Sequence, residues 1–134
     1  MPDRAFFDTN VLIYAVAQSD RRTARAEQLL LSGGVISVQV LNEFASVARR
    51  KLKMPWRDVK EALKSIRTIC PSPVPLTLAT HDLALQVVDR YNYEIYDALV
   101  IASALMAKCD VLISEDMQDG QIIEKRLTIR NPFR

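Results

Sequence analysis

The chain is poor in the residues on which several common chemistries depend. Its only glycines are Gly33, Gly34 and Gly120. Neither a GxGxxG nor a GxxxxGK(S/T) phosphate loop can be written anywhere in it, so dinucleotide binding and P-loop NTPase chemistry by their usual motifs are excluded. The only histidine is His81. Sites built on paired histidines are out, any Ser-His-Asp arrangement would have to run through that residue, and its place near a helix start reads as structural. The two cysteines, Cys70 and Cys109, show no CxxC spacing. That argues against a zinc site or a disulfide framework and suits a reducing compartment. No apolar run approaches the roughly 20 residues that span a bilayer. The opening Met1-Pro2-Asp3-Arg4 lacks signal-peptide features. The expectation is a cytoplasmic protein with no membrane partner. The net charge of +2 is too small to indicate a polyanionic partner by itself.

What is present reads as one domain spanning residues 1–134, with enough apolar sequence for a single core. Ala5-Phe6-Phe7 is a short buried strand ending in Asp8, and Thr9-Asn10 offers capping chemistry for a helix over Val11 to Ala17. A second helix is predicted from about Arg21 to Leu31, ended by Gly33-Gly34, before a short strand at Val35-Ile36-Ser37. Apolar spacings of three and four make Gln39 to about Lys53 helical, and Pro55 opens a further helix to about Cys70. Prolines 71, 73 and 75 surround a possible strand at Val74 to Leu76. Thr77 or Thr80 can cap a helix through about Arg90. The segment from Glu94 to Lys108 is apolar on nearly all sides and should be a buried helix. Strands follow at Asp110 to Ser114 and Leu127 to Arg130, with a turn at Asp119-Gly120. Strands alternating with longer helices predict an α/β fold: a central parallel sheet of about five strands flanked by helices on both faces.

The residues that carry chemistry are four carboxylates. Asp8 and Asp116 sit just beyond strands, and Glu43 and Asp97 sit on helices. In open parallel sheets, ligand sites gather beyond the carboxyl ends of the strands, so acids far apart in sequence can converge there. An aspartate before a helix also serves as a cap, and Asp97, near a helix start, also suits the helix dipole. However, Asp97 lies one turn before Ile101 on a face that should be buried, where a carboxylate needs a partner. Glu43 lies at the edge of an apolar face, between Val40 and Val47. Glu115 and Asp119 compete with Asp116 for the last position. Close packing of like charges costs on the order of 4 kcal/mol per pair even with partial screening. A hard divalent cation would relieve that cost, and it would also activate water and offset charge on a phosphate.

This ordered set resembles the PIN domain, the small metal-dependent ribonuclease fold of VapC-type toxins. The matching stretches are Phe7-Asp8-Thr9-Asn10, Glu43 on the third helix, Tyr96-Asp97-Ala98-Leu99-Val100-Ile101-Ala102, and Leu112-Ile113-Ser114-Glu115-Asp116. Ser114 stands where the family frequently has threonine. The resemblance implies Mg2+ or Mn2+ and cleavage of single-stranded RNA. In this reading Asp8, Asp97 and Asp116 hold metal most directly and Glu43 completes the site. Thr9, Asn10 and Ser114 act as donors that orient the carboxylates. It also implies a homodimer and, for the toxin of a type II (VapBC) pair, a VapB-type antitoxin that places a basic or apolar segment over the acidic pocket. Arg49, Arg50, Lys51, Lys53 and Tyr96 are candidates for RNA contact; each also reads as an ordinary surface or packing residue.

Other readings fit less well. A phosphotransfer receiver wants an acid pair at its first strand and a lysine after its last, where this chain has Asp8 alone and Arg130. A dehalogenase-type phosphatase wants DxD, and Asp8-Thr9-Asn10 fails that test. A solitary PIN nuclease without an antitoxin would look the same. A non-catalytic PIN-like binding module would be favoured by loss of an acid, and all four are present.

Overall fold

Short apolar runs make the strands, and amphipathic or wholly apolar runs make the helices between them. The elements are β1 (Ala5–Phe7), α1 (Thr9–Val16), α2 (Thr23–Leu31), α3 (Val38–Arg50), α4 (Trp56–Ile69), α5 (Leu78–Tyr91), α6 (Ile95–Met106), β2 (Val111–Ile113), β3 (Ile122–Ile123) and β4 (Leu127–Arg130). This computed structural model describes residues 3–134; Met1 and Pro2, part of the segment read above for targeting features, lie outside the described residues. No described helix is long and apolar enough to cross a membrane.

The sheet has the order β1-β2-β4-β3, parallel except for the β3–β4 pair, which is antiparallel. It therefore has four strands and a mixed edge. The expected strands at residues 35–37 and 74–76 contribute single parallel bridges, Phe6 with Val35 and Ser37 with Val74. Their backbone bonds are real but few: Val35 N donates to Ala5 O at 2.8 Å and Val74 N to Ile36 O at 2.8 Å. Pro73 and Pro75 have no N–H to extend such a ladder, which keeps it short.

With these bridges included, the chain steps outward from β1 through residues 35–37 to Val74. It then crosses back to place β2 on the other side of β1. The strand order thus reverses between β1 and β2, the position where α/β sheets open a crevice. Right-handed crossovers put α1 to α4 on one face of the sheet and α5 and α6 on the other. The helix contacts follow that division: α1 packs on α2 and α3, α3 on α4, and α5 on α6. Every residue of α6 from Ala98 to Leu105 is buried, as its uniform apolarity predicts.

Local chemistry sets the helix ends. Asp8, rather than Thr9 or Asn10, caps α1, so that helix starts two residues earlier than expected. Ser37 caps α3 through the Val40 N–H, and Thr77 and Thr80 form a reciprocal capping box on α5. α5 ends at Asn92 in the left-handed conformation (φ 60°), which asparagine tolerates better than most residues.

Gly34 is required by packing. A Cβ there would lie 2.4 and 2.8 Å from ring carbons of Phe7 and 3.0 Å from the Ala5 carbonyl oxygen. The Phe7 ring is fully inside the core and cannot swing away. Gly34→Ala should lower unfolding free energy by about 1–3 kcal/mol, the usual range for overpacking. Urea denaturation checks this, and an unchanged midpoint would contradict it.

Candidate active site

The end of β1 is stitched to the end of β2 by the Asp8 N–H, which donates to the Ile113 carbonyl at 3.0 Å. The Asp8 side chain is buried and accepts two hydrogen bonds at 2.7 Å, from the Thr9 N–H and from the Ser114 hydroxyl. The Ser114 oxygen also accepts from the Asp116 N–H at 3.2 Å. A hydroxyl donates and accepts at once, so this serine fixes the spacing between two acid-bearing segments. Asn10 adds a second tie: its Nδ2 donates to Asp116 Oδ2 at 3.1 Å, and its Oδ1 accepts from the Glu115 N–H at 3.3 Å.

Glu43 enters from α3, beside the buried stripe Val40, Phe44 and Ala48. Its two carboxylate oxygens accept from Thr9 Oγ1 at 3.1 Å and from Gln39 Nε2 at 2.8 Å. Asp97 enters from the first turn of α6, where Glu94 caps the helix by accepting from the Tyr96 and Asp97 N–H groups at 2.9 and 3.3 Å. Among the described residues the Asp97 carboxylate itself makes no hydrogen bond within the protein, so both its oxygens are available.

All four predicted acids, with Thr9 and Asn10, line one cavity of about 340 Å³ at the β1–β2 reversal. Ser114 lies directly behind Asp8. Of Glu115, Asp116 and Asp119, it is Asp116 that lines the cavity. Glu115 turns away, held by both oxygens to Arg22 at 3.0 and 2.8 Å and by the Tyr14 hydroxyl. Asp119 accepts from the Asn131 N–H at 2.8 Å and from Arg134 at 3.2 Å, elsewhere on the surface. His81 is exposed on α5 and does not line the cavity.

Several partners were not anticipated. Gln39 stands one helical turn before Glu43, a spacing legible in sequence. Glu94, three residues before Asp97, is a recognisable capping position. The Arg22–Glu115–Tyr14 cluster has no such signal: Arg22 and Glu115 lie 93 residues apart. Arg22 also stacks 3.8 Å above the Tyr14 ring. Together these contacts fasten the loop carrying Asp116 to α1.

The acids act on one another. Burial pushes the Asp8 carboxyl up to about 6 against the pull of its Ser114 and Thr9 hydrogen bonds, and the charges of Asp97 and Asp116 add to the rise. Asp97 is also raised to about 6, by burial and then by the charges of Glu94, Asp116 and Glu43. Glu115 behaves oppositely: partial burial raises its carboxyl, but Tyr14 and Arg22 outweigh that and hold it low.

The donors around the cavity are oxygens, with no histidine or cysteine among them, which suits Mg2+ or Mn2+ better than softer ions. Four carboxylates face one lysine, Lys51, around this cavity. Among the described residues no three acids converge tightly enough to hold an ion as they stand. They line the cavity without closing on a common point.

A family model described as the PIN domain matches residues 5–118, a span that contains all four acids. No curated protein matches the sequence. Among solved structures, the chain is similar to a toxin–antitoxin complex from Klebsiella pneumoniae, with TM-score 0.73 and 18% identity over 96% of this chain and 98% of that one. It is similar to VapC20 from Mycobacterium tuberculosis, described as a sarcin-ricin loop cleaving toxin, with TM-score 0.61 and 20% identity over 81% and 86%. A third is VapBC2 from Rickettsia felis bound to a DNA fragment from their promoter, with TM-score 0.66 and 15% identity over 95% and 98%. At these identities the likeness is one of fold.

The raised Asp97 carboxyl makes a stability prediction with a definite sign. Its folded value of about 6 exceeds the ordinary 3.8, so the folded state loses stability as pH rises through that window and carries the full penalty above it. In chelator, Asp97→Asn should therefore melt about 2–5 °C above the unmodified protein at slightly alkaline pH. The gap should close as the pH falls toward 4. A thermal-shift series over pH checks this; a variant less stable at alkaline pH would contradict it.

Proposed function

The chain belongs to the PIN domain family, and from that premise we propose that it is a Mg2+- or Mn2+-dependent endoribonuclease that cleaves phosphodiester bonds of single-stranded RNA. The observation that carries this reading is the convergence of Asp8, Glu43, Asp97 and Asp116 on one cavity at the reversal of the sheet. Asp8, Asp97 and Asp116 would hold the ion and Glu43 would complete its surroundings. When bound, the ion would neutralise charge developing on the phosphate and lower the pKa of water.

The protein's own residues do the rest. Ser114 and the Thr9 N–H orient the two Asp8 oxygens. Asn10 holds Asp116 against α1, and the Arg22–Glu115 pair anchors the loop behind it. Thr9 and Gln39 fix the Glu43 carboxylate, which stands ready to accept a hydrogen bond or a proton from a water aimed at the phosphate. No histidine is needed for any of these roles.

The biological setting belongs to the same proposal: a cytoplasmic toxin of a type II (VapBC) pair, active as a homodimer and covered by a VapB-type antitoxin. One similar structure is a toxin–antitoxin complex and another is VapBC2 bound to promoter DNA, which supports this setting. An apolar cleft of about 260 Å³ between α1, α2 and α4 supports a partner, with Leu31 76% exposed at its edge. Exposed apolar surface of this kind commonly marks a protein contact.

The test is cleavage of a mixed pool of structured and unstructured RNAs with Mg2+, with Mn2+ and with EDTA. Cleavage should need either ion and favour unpaired segments. Asp8→Asn should lower the rate by about 10²–10³-fold, and Ser114→Ala by about 10–100-fold. Cleavage that persists in EDTA, or full activity in Asp8→Asn, would overturn the assignment.

A further inference from the structure

Beside the acidic cavity lies a second groove, between α3 and the start of α6. It is lined by Gln39, Ser46, Arg50, Glu94 and Tyr96, and it shares Glu43, Val47 and Asp97 with the acidic cavity. The two form one trough with Glu43 and Asp97 at the junction. We propose that this groove is the substrate track: Lys51 and Arg50 hold backbone phosphates on either side of the reacting one, and Tyr96 is a platform for an unpaired base. The inference rests on the ribonuclease reading and adds which residues bind the strand.

Charge makes the case for the two basic residues. A polyanion approaching four carboxylates needs positive charge at its entrance. Lys51 lines the acidic cavity and Arg50 lines the groove beside it. On a helix, side chains lean toward the N-terminus, so Arg50 at the end of α3 and Lys51 at its C-cap, still in the αR conformation, reach back toward Glu43. The Arg50 Nε bond to Ser46 Oγ at 3.3 Å records that lean. Among the described residues neither makes an ion pair with a carboxylate. Their neighbours are differently placed. Arg49 donates to the Met54 carbonyl at 3.0 Å and stacks 5.3 Å from the centre of the Trp56 ring. Lys53 lines a separate cleft with Gln18 and Asp58. The basic run therefore divides into residues that face the trough and residues that hold the α3–α4 turn.

Tyr96 stands immediately before Asp97 and is 61% exposed on the groove wall. An exposed aromatic beside a basic groove is what base stacking requires, and unpaired bases are the ones free to stack. Glu94 is the one extra acid in the groove, and its carboxylate is engaged by two N–H groups at the positive end of α6. This arrangement selects single strands: a base can reach Tyr96 only when it is unpaired.

The experiment is fluorescence anisotropy of a short labelled single-stranded oligoribonucleotide in Ca2+ buffer at several salt concentrations, run beside cleavage kinetics in Mg2+. All the substitutions lie on the surface. Tyr96→Ala should weaken binding by about tenfold and raise KM with kcat little changed, and Tyr96→Phe should restore both. Lys51→Met should flatten the slope of log affinity against log salt by about 0.7, the loss of one phosphate contact, while Arg49→Met leaves it unchanged. Unmodified protein that binds RNA, with Tyr96→Ala and Lys51→Met binding identically, would overturn the track and leave the ribonuclease reading standing. Binding that fails in these variants without cleavage by any form would support the track and sink the ribonuclease. No binding by the unmodified protein would overturn both.

Discussion

The carboxylate of Asp8 is buried where three other acids face the same cavity, and most of the working end of this molecule follows from that. A charge placed there is unfavourable by itself, which is why burial drives both Asp8 and Asp97 up to about 6. The fold nonetheless holds it in place. Asp8 is the cap of α1, the continuation of β1 and the acceptor for Ser114. Removing it would disturb the helix start and the strand-to-strand stitch as well as any ligand. An acid kept in such a position, with two donors aimed at it, is prepared for a positive partner.

The remaining contacts keep the other acids in register with it. Ser114 links Asp8 to the backbone of Asp116, and Asn10 links Asp116 to α1. Thr9 and Gln39 hold Glu43, and Glu94 sets the first turn of α6 under Asp97. Glu115 is acidic by sequence but structural by environment: Arg22 gives it an ion pair that none of the cavity acids has among the described residues, and the Tyr14 hydroxyl adds a hydrogen bond. The same loop thus carries one acid that is neutralised and one that is left open.

Much of this was legible in the sequence because it is local. The helices fall where the three-and-four spacings put them, and the apolar run after Asp97 is buried on all sides. The strand ends at Phe7 and Ile113 place Asp8 and Asp116 beside one another, as a reversal of strand order requires. The sheet was harder to read. Prolines flank residue 74, so a stretch with strand-like composition forms a single bridge, and the β3–β4 hairpin makes one edge antiparallel. Hydrogen bonds between distant residues were out of reach. Nothing in one sequence marks Arg22 as the partner of Glu115, and without that pairing Glu115 and Asp116 are equal candidates. The basic run 49–53 was likewise ambiguous, because only the helix phase separates residues facing the trough from those facing Trp56.

The central claim is that these carboxylates share a cation. Its most direct test is a crystal grown with Mn2+ and measured at the manganese absorption edge. The account predicts an anomalous peak inside the cavity, coordinated by oxygens of Asp8, Asp97 and Asp116. Strong Mn2+ peaks only at other positions, with the cavity empty at saturating ion, would contradict it.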